Sequence, residues 1–291
     1  MRVIMEPSLA DRTTIRLGGK AIAELTVENY DDLKILPERC RELGGKPFVL
    51  GRGSNILAAG HDLPLILIRL NLKPKLGVYA RSGDKIYLRA SAQIPFAHVL
   101  RYCLANGLSG LEGLVGIPGQ IGGLTAMNAG SFGAETGALL HSVLVWSDRG
   151  LNLIYQKDII REYRRLKFGD LPGSPIVLES IFTLTASLKS VILKRANLNF
   201  LEKKSRQPIV SLSAGCAFKN PPGLAAGKIL DMAGFRGKER GGMAFSSQHA
   251  NFLVNLGNGS PEAAFDLLAE ARETALRKFG IRLEPEVRIL S

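Results

Sequence analysis

The chain has 291 residues, 46% hydrophobic and 22% charged, which excludes intrinsic disorder and sets an expectation of about two domains. Lysine and arginine outnumber the acids 38 to 26, a formal net charge of +12, so the partner is anionic: nucleic acid, a phosphorylated small molecule or an anionic surface. Cys40, Cys103 and Cys216 form no CxxC pair, and no segment reaches the roughly 20 apolar residues of a membrane span, so no disulfide framework, metal site, membrane partner or export is expected.

In chain order, KPFVL (46–50), LILI (65–68), KIYLRA (85–90), SVLVW (142–146) and IVLESIFTL (176–184) predict strands. Residues 94–106 predict a helix that Gly107 ends. The clearest helix has Ser260 as N-cap, Pro261 at its first position, Glu262 in its first turn and Gly280 past its end. Ala264, Leu268, Ala271, Ala275 and Phe279 then share one face and belong to a core. Strands and helices mix without regular βαβ alternation, so the fold class is α+β. A domain boundary is expected near 186–196, where the strand-rich half meets the basic stretch SLKSVILKRANLNFLEKKSRQP.

Two glycine-bearing stretches point to a ligand. GLVGIPGQIGGLTAMNAGSFG (113–133) carries seven glycines, a clustering that is unfavourable unless a ligand or tight packing offsets it. GRGSN (51–55) follows the strand KPFVL, and its amides and hydroxyl can form a small anion nest. Neither is a Rossmann or Walker loop: the first pattern lacks its third glycine, where Ile56 stands, and the chain has no Gly-Lys-Ser/Thr. Two separated nests suit a diphosphate gripped from two sides.

Taken together, TTIRLGGKA (13–21), GRGSNIL (51–57), GLEGLVGIPGQIGGLTAMNAGSFGAE (110–135), YRRLKF (163–168), SAGCAFKNP (213–221), AAGKILDMAG (225–234), SSQHANFLVN (246–255) and LEPEVR (283–288) span nearly the whole chain. Their order and spacing resemble the bacterial UDP-N-acetylenolpyruvoylglucosamine reductase family. The resemblance implies a two-lobed FAD-binding domain of the vanillyl-alcohol-oxidase (PCMH) type, residues 1–74 and 75–188, and a UDP-sugar domain, 189–291. It also implies NADPH as reductant and a cytoplasmic enzyme, expected to be monomeric, that reduces an enolpyruvyl ether to a lactyl ether in peptidoglycan precursor synthesis. GRGSN holds no histidine for a covalent link, so the FAD is expected to be dissociable.

Carried onto this chain, the resemblance places FAD along Gly51, Gly53, Ser54 and Asn55, and along Gly116, Ile117, Pro118, Gly119, Gly122, Gly123 and Asn128. Hydride delivery to the β-carbon puts negative charge on the α-carbon and its carboxylate, so a cation and a proton donor are needed. Arg164 matches the family's arginine, and its planar fork suits a carboxylate; by residue type alone it is one of a solvated cluster with Arg161, Arg165 and Lys167. Cys216 stands where serine is frequent, and a thiol is the better acid, although a neighbouring Arg164 or Lys219 could leave it a thiolate. Glu286 matches the family's catalytic glutamate, with Glu284 as competitor. Lys219, Asn220, His249 and Asn251 are the sugar-nucleotide candidates. Departures from the family pattern are Gln248 before the histidine, GFRG at 234–237 and Leu166. No insertion carries a substrate-covering tyrosine, so the chain has the shorter form.

Two rivals follow from the same residues. A flavoenzyme of this fold with another substrate would keep both glycine stretches without needing CAFKNP and EPEVR. A nucleic-acid-binding protein would account for the charge, but the cations are dispersed and no stacking or recognition motif is present.

Overall fold

A computed structural model of the chain describes residues 1–291. Its helices are α1 (Tyr30–Glu42), α2 (Phe96–Asn106), α3 (Ile121–Ala126), α4 (Thr136–Leu139), α5 (Lys189–Arg206), α6 (Ala226–Ala233) and α7 (Pro261–Phe279). α2 stops where Gly107 turns left-handed, at φ 64°. In α7 the Ser260 side chain accepts the Ala263 amide and Gly280 closes the end at φ 67°. Ala264, Leu268, Ala271 and Ala275 are buried on its inner face, and Phe279 packs against the same core. The five predicted strands all form, at Lys46–Val49, Leu63–Leu70, Lys85–Ser91, Leu140–Ser147 and Ile176–Ala186.

The stretch read as a polar boundary is instead the 18-residue helix α5. Its apolar residues are scattered round the whole circumference, so no single stripe at helical spacing marks it. α1 was hidden for a different reason, because Pro37 stands inside it and a proline normally argues against a helix interior.

An antiparallel sheet runs in the order Gly150–Tyr155, Leu140–Ser147, Ile176–Ala186, Lys85–Ser91, Leu76–Ser82, with Leu108–Ser109 on the end of the long third strand. A second sheet orders Arg2–Met5, Ala21–Val27, Leu63–Leu70 and Lys46–Val49. A third, antiparallel, orders Leu212–Cys216, Phe252–Asn255, Met243–Phe245 and Glu239–Arg240. The segregation of helices from antiparallel sheets makes the class α+β.

The chain forms two compact units. One comprises residues 1–3, 25–51 and 67–202; the other comprises 4–24, 52–66 and 203–291. The first has its own core, where Leu88, Val143, Val145 and Phe182 of the antiparallel sheet meet Phe96 and Val99 of α2 and Leu124 of α3. In the second, Ile229 and Leu230 of α6 and Leu267 and Leu268 of α7 pack with Phe218, Phe245 and Leu57. Leu57 belongs there because Ile56–Ala58 pairs in parallel with Arg288–Leu290, which brings the bend 52–55 to the carboxy-terminal strand.

Candidate active site

The second unit gathers Gly53, Ser54, Asn55, Cys216 and Glu286 into one corner. Gly53 has φ +63°, and a β-carbon there would lie 2.2 Å from the Arg12 carbonyl oxygen and 2.8 Å from Thr13 Cα. Only glycine lets these two backbones approach so closely. The Thr14 amide donates to Gly53 O (3.3 Å), and the Thr14 hydroxyl donates to Ser213 O (2.6 Å), fixing the start of the strand that ends in Cys216. Asn55 Nδ2 donates to Glu286 O at 3.3 Å, and Asn55 O accepts the Arg288 amide at 2.9 Å.

Cys216 and Glu286 are held side by side by main-chain pairing. The Glu286 amide donates to Ala217 O at 2.9 Å, and Phe218 bridges Pro285. A bulge lies between Ser213 and Cys216, with Gly215 at φ +81°, so the strand turns as it presents the thiol. Both side chains are half-buried. The competitor is placed elsewhere: Glu284 is exposed and ion-paired with Lys219 at 3.2 Å. A narrow apolar cavity lies behind the corner, lined by Ile15, Leu57, Ala214, Gly215, Ala217, Leu253 and Val287.

In the first unit the glycine stretch runs along residues 92–96. The Ile121 amide donates to Ile94 O, the Gly122 amide to Ala92 O, and Gly119 O accepts the Phe96 amide. A β-carbon at Gly122 would come 2.9 Å from Ala92 Cβ, so that glycine serves packing. Gly123 has nothing within 4 Å of where its β-carbon would stand. Gly116, Pro118 and Gly123 are exposed, while Ile117 and Gly119 are half-buried. Bare main chain beside open space is what a ligand lying along the backbone requires, and it fits the FAD that the resemblance implies. Gly51 closes against the same stretch, 3.1 Å from Gln120 Oε1 to its would-be β-carbon.

Arg164 stands at the tip of the hairpin joining Ile159–Glu162 to Arg165–Phe168. It has φ +58°, a strained conformation for a residue with a side chain. Its guanidinium donates to Gly130 O at 3.3 Å and sits 5.1 Å from the Tyr163 ring centroid. Asn128 ties the same hairpin down: its Nδ2 donates to Glu135 Oε2 (3.0 Å) and Glu162 O (3.1 Å), and its Oδ1 accepts the Gly137 amide (2.9 Å). Its side-chain amide is therefore occupied by the fold, and it supports Arg164 from behind.

The four sugar-nucleotide candidates divide in the same way. Asn251 is buried and bonded through both side-chain ends to the Phe218 backbone, at 2.9 and 2.7 Å. Asn220 accepts the Ala226 amide at 3.0 Å, at the start of α6. His249 packs edge-on to Phe252, and its Nδ1 accepts the Asn251 amide at 3.2 Å, which leaves the proton on Nε2. Burial holds this imidazole below its usual range, and Arg236 adds to the effect. Two of the three departures in sequence, GFRG and Gln248, are physically linked. Arg236 of GFRG forks onto Asp231 and donates to the carbonyls of Ser247 and Gln248, while Gln248 Nε2 donates to Lys204 O at 2.7 Å.

The cation within electrostatic reach of Cys216 is one that the sequence reading did not single out. Lys203, in the last turn of α5, is only 3% exposed. Burial pulls its ammonium down to about 8, against the attraction of Cys216. Within this unit Lys203 takes the part expected of Lys219, whose ammonium pairs with Glu284 instead. Nothing in the run EKKSR distinguishes a lysine that turns inward from one that does not. Cys40 and Cys103 are buried, and Cys103 is pushed up to about 12 by burial, so Cys216 is the accessible thiol.

The whole chain has relatives of known name. Residues 207–290 match the family described as UDP-N-acetylenolpyruvoylglucosamine reductase, C-terminal domain, and residues 21–151 match an FAD binding domain family. The UDP-N-acetylenolpyruvoylglucosamine reductase of Nitratidesulfovibrio vulgaris is 44% identical, over 100% of this chain and 99% of the relative. That of Oleidesulfovibrio alaskensis is 43% identical, over 99% and 97%. The crystal structure of the corresponding reductase from Thermus caldophilus covers 100% of both chains at 32% identity, with a TM-score of 0.84. No helix is long and apolar enough to cross a membrane. With two matched domains and 44% identity over the full chain, the chain belongs to the UDP-N-acetylenolpyruvoylglucosamine reductase family.

Proposed function

We propose that the protein is an FAD- and NADPH-dependent reductase that converts UDP-N-acetylglucosamine enolpyruvate to UDP-N-acetylmuramate, a precursor of peptidoglycan. The observation that carries this reading is the corner in which Cys216 and Glu286 are paired through Ala217 beside Asn55. It stands in a chain 44% identical to a reductase of that name. Its fold is the PCMH-type flavin architecture with a sugar-nucleotide part; the division proposed from the resemblance, 1–74, 75–188 and 189–291, differs from the two compact units, whose last break falls at 202/203. The protein acts in the cytoplasm as a monomer.

FAD, bound without a covalent link and reduced by NADPH, supplies the hydride for the β-carbon. The residues that would hold it are Gly51, Gly53, Ser54 and Asn55 together with Gly116, Ile117, Pro118, Gly119, Gly122 and Gly123, with Asn128 bracing the stretch 116–123. Arg164 binds the substrate carboxylate through its fork, where negative charge grows as the hydride arrives. The Cys216 Sγ–H gives its proton to the α-carbon, and Glu286 assists that transfer. Lys219 and His249 face the sugar nucleotide, on a surface that Asn220 and Asn251 shape through the main chain.

An anaerobic half-reaction tests the assignment. The flavin of the purified holoenzyme is reduced with NADPH, the UDP enolpyruvyl sugar is added, and reoxidation is followed by absorbance. Rapid reoxidation is expected with this substrate. A flavin that stays reduced would leave a flavoenzyme of this family with a different substrate.

A further inference from the structure

We propose that the outward face of α5 docks on an anionic lipid surface, seating the protein against a negatively charged bilayer without spanning it. The inference is independent of the catalytic reading. Ile192 is 3% exposed and Asn199 Nδ2 donates to Glu112 O at 3.2 Å, which fixes the inward side of the helix. At about 100° per residue, Leu193, Lys194, Leu198 and Leu201 fall on the opposite half. That half of a surface helix is ordinarily polar. Here Leu193 is 44%, Leu198 58%, Phe200 38% and Leu201 60% exposed, and Leu188, just before the helix, is 72% exposed.

The charges choose the occupant. On the outward half of the helix the ionic residues are Lys194 and Lys204, both exposed, and that half contains no Asp or Glu. Two copies meeting face to face would oppose like charges, in a chain already at +12. An anionic bilayer offers headgroups to the cations and the acyl boundary to the leucines and phenylalanine. The expectation of no membrane partner rested on the missing span, and an interfacial helix needs none.

The holoenzyme is mixed with vesicles of phosphatidylcholine alone, or with about a third phosphatidylglycerol, and binding is read by co-sedimentation. Binding to the anionic vesicles alone, with release at about 0.5 M salt, is expected. The double variants Leu193→Gln/Leu201→Gln and Lys194→Glu/Lys204→Glu should each lower binding about tenfold or more, with turnover and thermal midpoint unchanged. No binding to the anionic vesicles at low salt would overturn the proposal, as would variants that bind like the wild type. So would a concentration-dependent dimer in analytical ultracentrifugation that Leu193→Gln/Leu201→Gln dissolves, since the face would then cover a second copy.

Discussion

At Gly53 a β-carbon would stand 2.2 Å from the Arg12 carbonyl oxygen, whereas at Gly123 it would meet nothing within 4 Å. The bend 52–55 is glycine-bearing because the chain packs on itself there, whereas the exposed part of 116–123 leaves bare main chain beside open space, as the proposed flavin contact requires. The contrast separates two requirements that look alike in sequence. In the first region the main chain is bonded to its neighbours, beside the proposed catalytic pair Cys216 and Glu286. In the second, part of the main chain is left bare.

The largest expected effect comes from breaking the first region. Gly53→Ala forces two backbones apart and should cost about 3–5 kcal/mol of stability, read by urea unfolding of the apoprotein; an unchanged midpoint would mean that the bend is not packed as described. Cys216→Ala and Glu286→Gln leave the main-chain pairing intact. Turnover should fall by about 10² to 10⁴ with flavin still bound, and loss of the flavin instead would mark these side chains as structural.

Lys203 gives the same region a pH signature. Burial holds its ammonium near 8 in the folded protein, against the usual 10.5, so between those values the unfolded chain binds more protons and stability rises with pH. Relative to Lys203→Met, the wild type should gain up to ~3 kcal/mol across that window, measured as the difference in unfolding free energy. A flat difference would mean that the ammonium is well solvated. The smallest effect belongs to the second region. Gly123→Ala should stabilise the apoprotein by up to ~1 kcal/mol, since alanine is the better helix former in α3, and weaken flavin about tenfold in a fluorescence titration. Opposite signs in the two measurements are the mark of a glycine kept for a ligand; equal flavin affinity would assign it to the fold.

Much of this was legible in the residues. Ser260, Pro261 and Gly280 delimit α7 because capping is local chemistry, written within a few positions. Cys216 and Glu286 were found through motifs, and their nearness follows from a pairing between segments about seventy residues apart that no local pattern reveals. α5 escaped because its apolar residues face both ways. Lys203 escaped because inward orientation in a basic run is decided by what covers it. The resemblance implies Asn128 and Asn251 as ligand contacts, yet their amides are taken up by backbone groups. An asparagine beside a site can equally be a brace.

The parallel pairing of Arg288–Leu290 with Ile56–Ala58 has a consequence for how the enzyme matures. The residues that complete the corner lie more than two hundred positions from the strand they zip onto, so closing this pair costs loop-closure entropy that no local contact repays. The corner is thus a long-range contact that closes after the local hairpins and helices have formed.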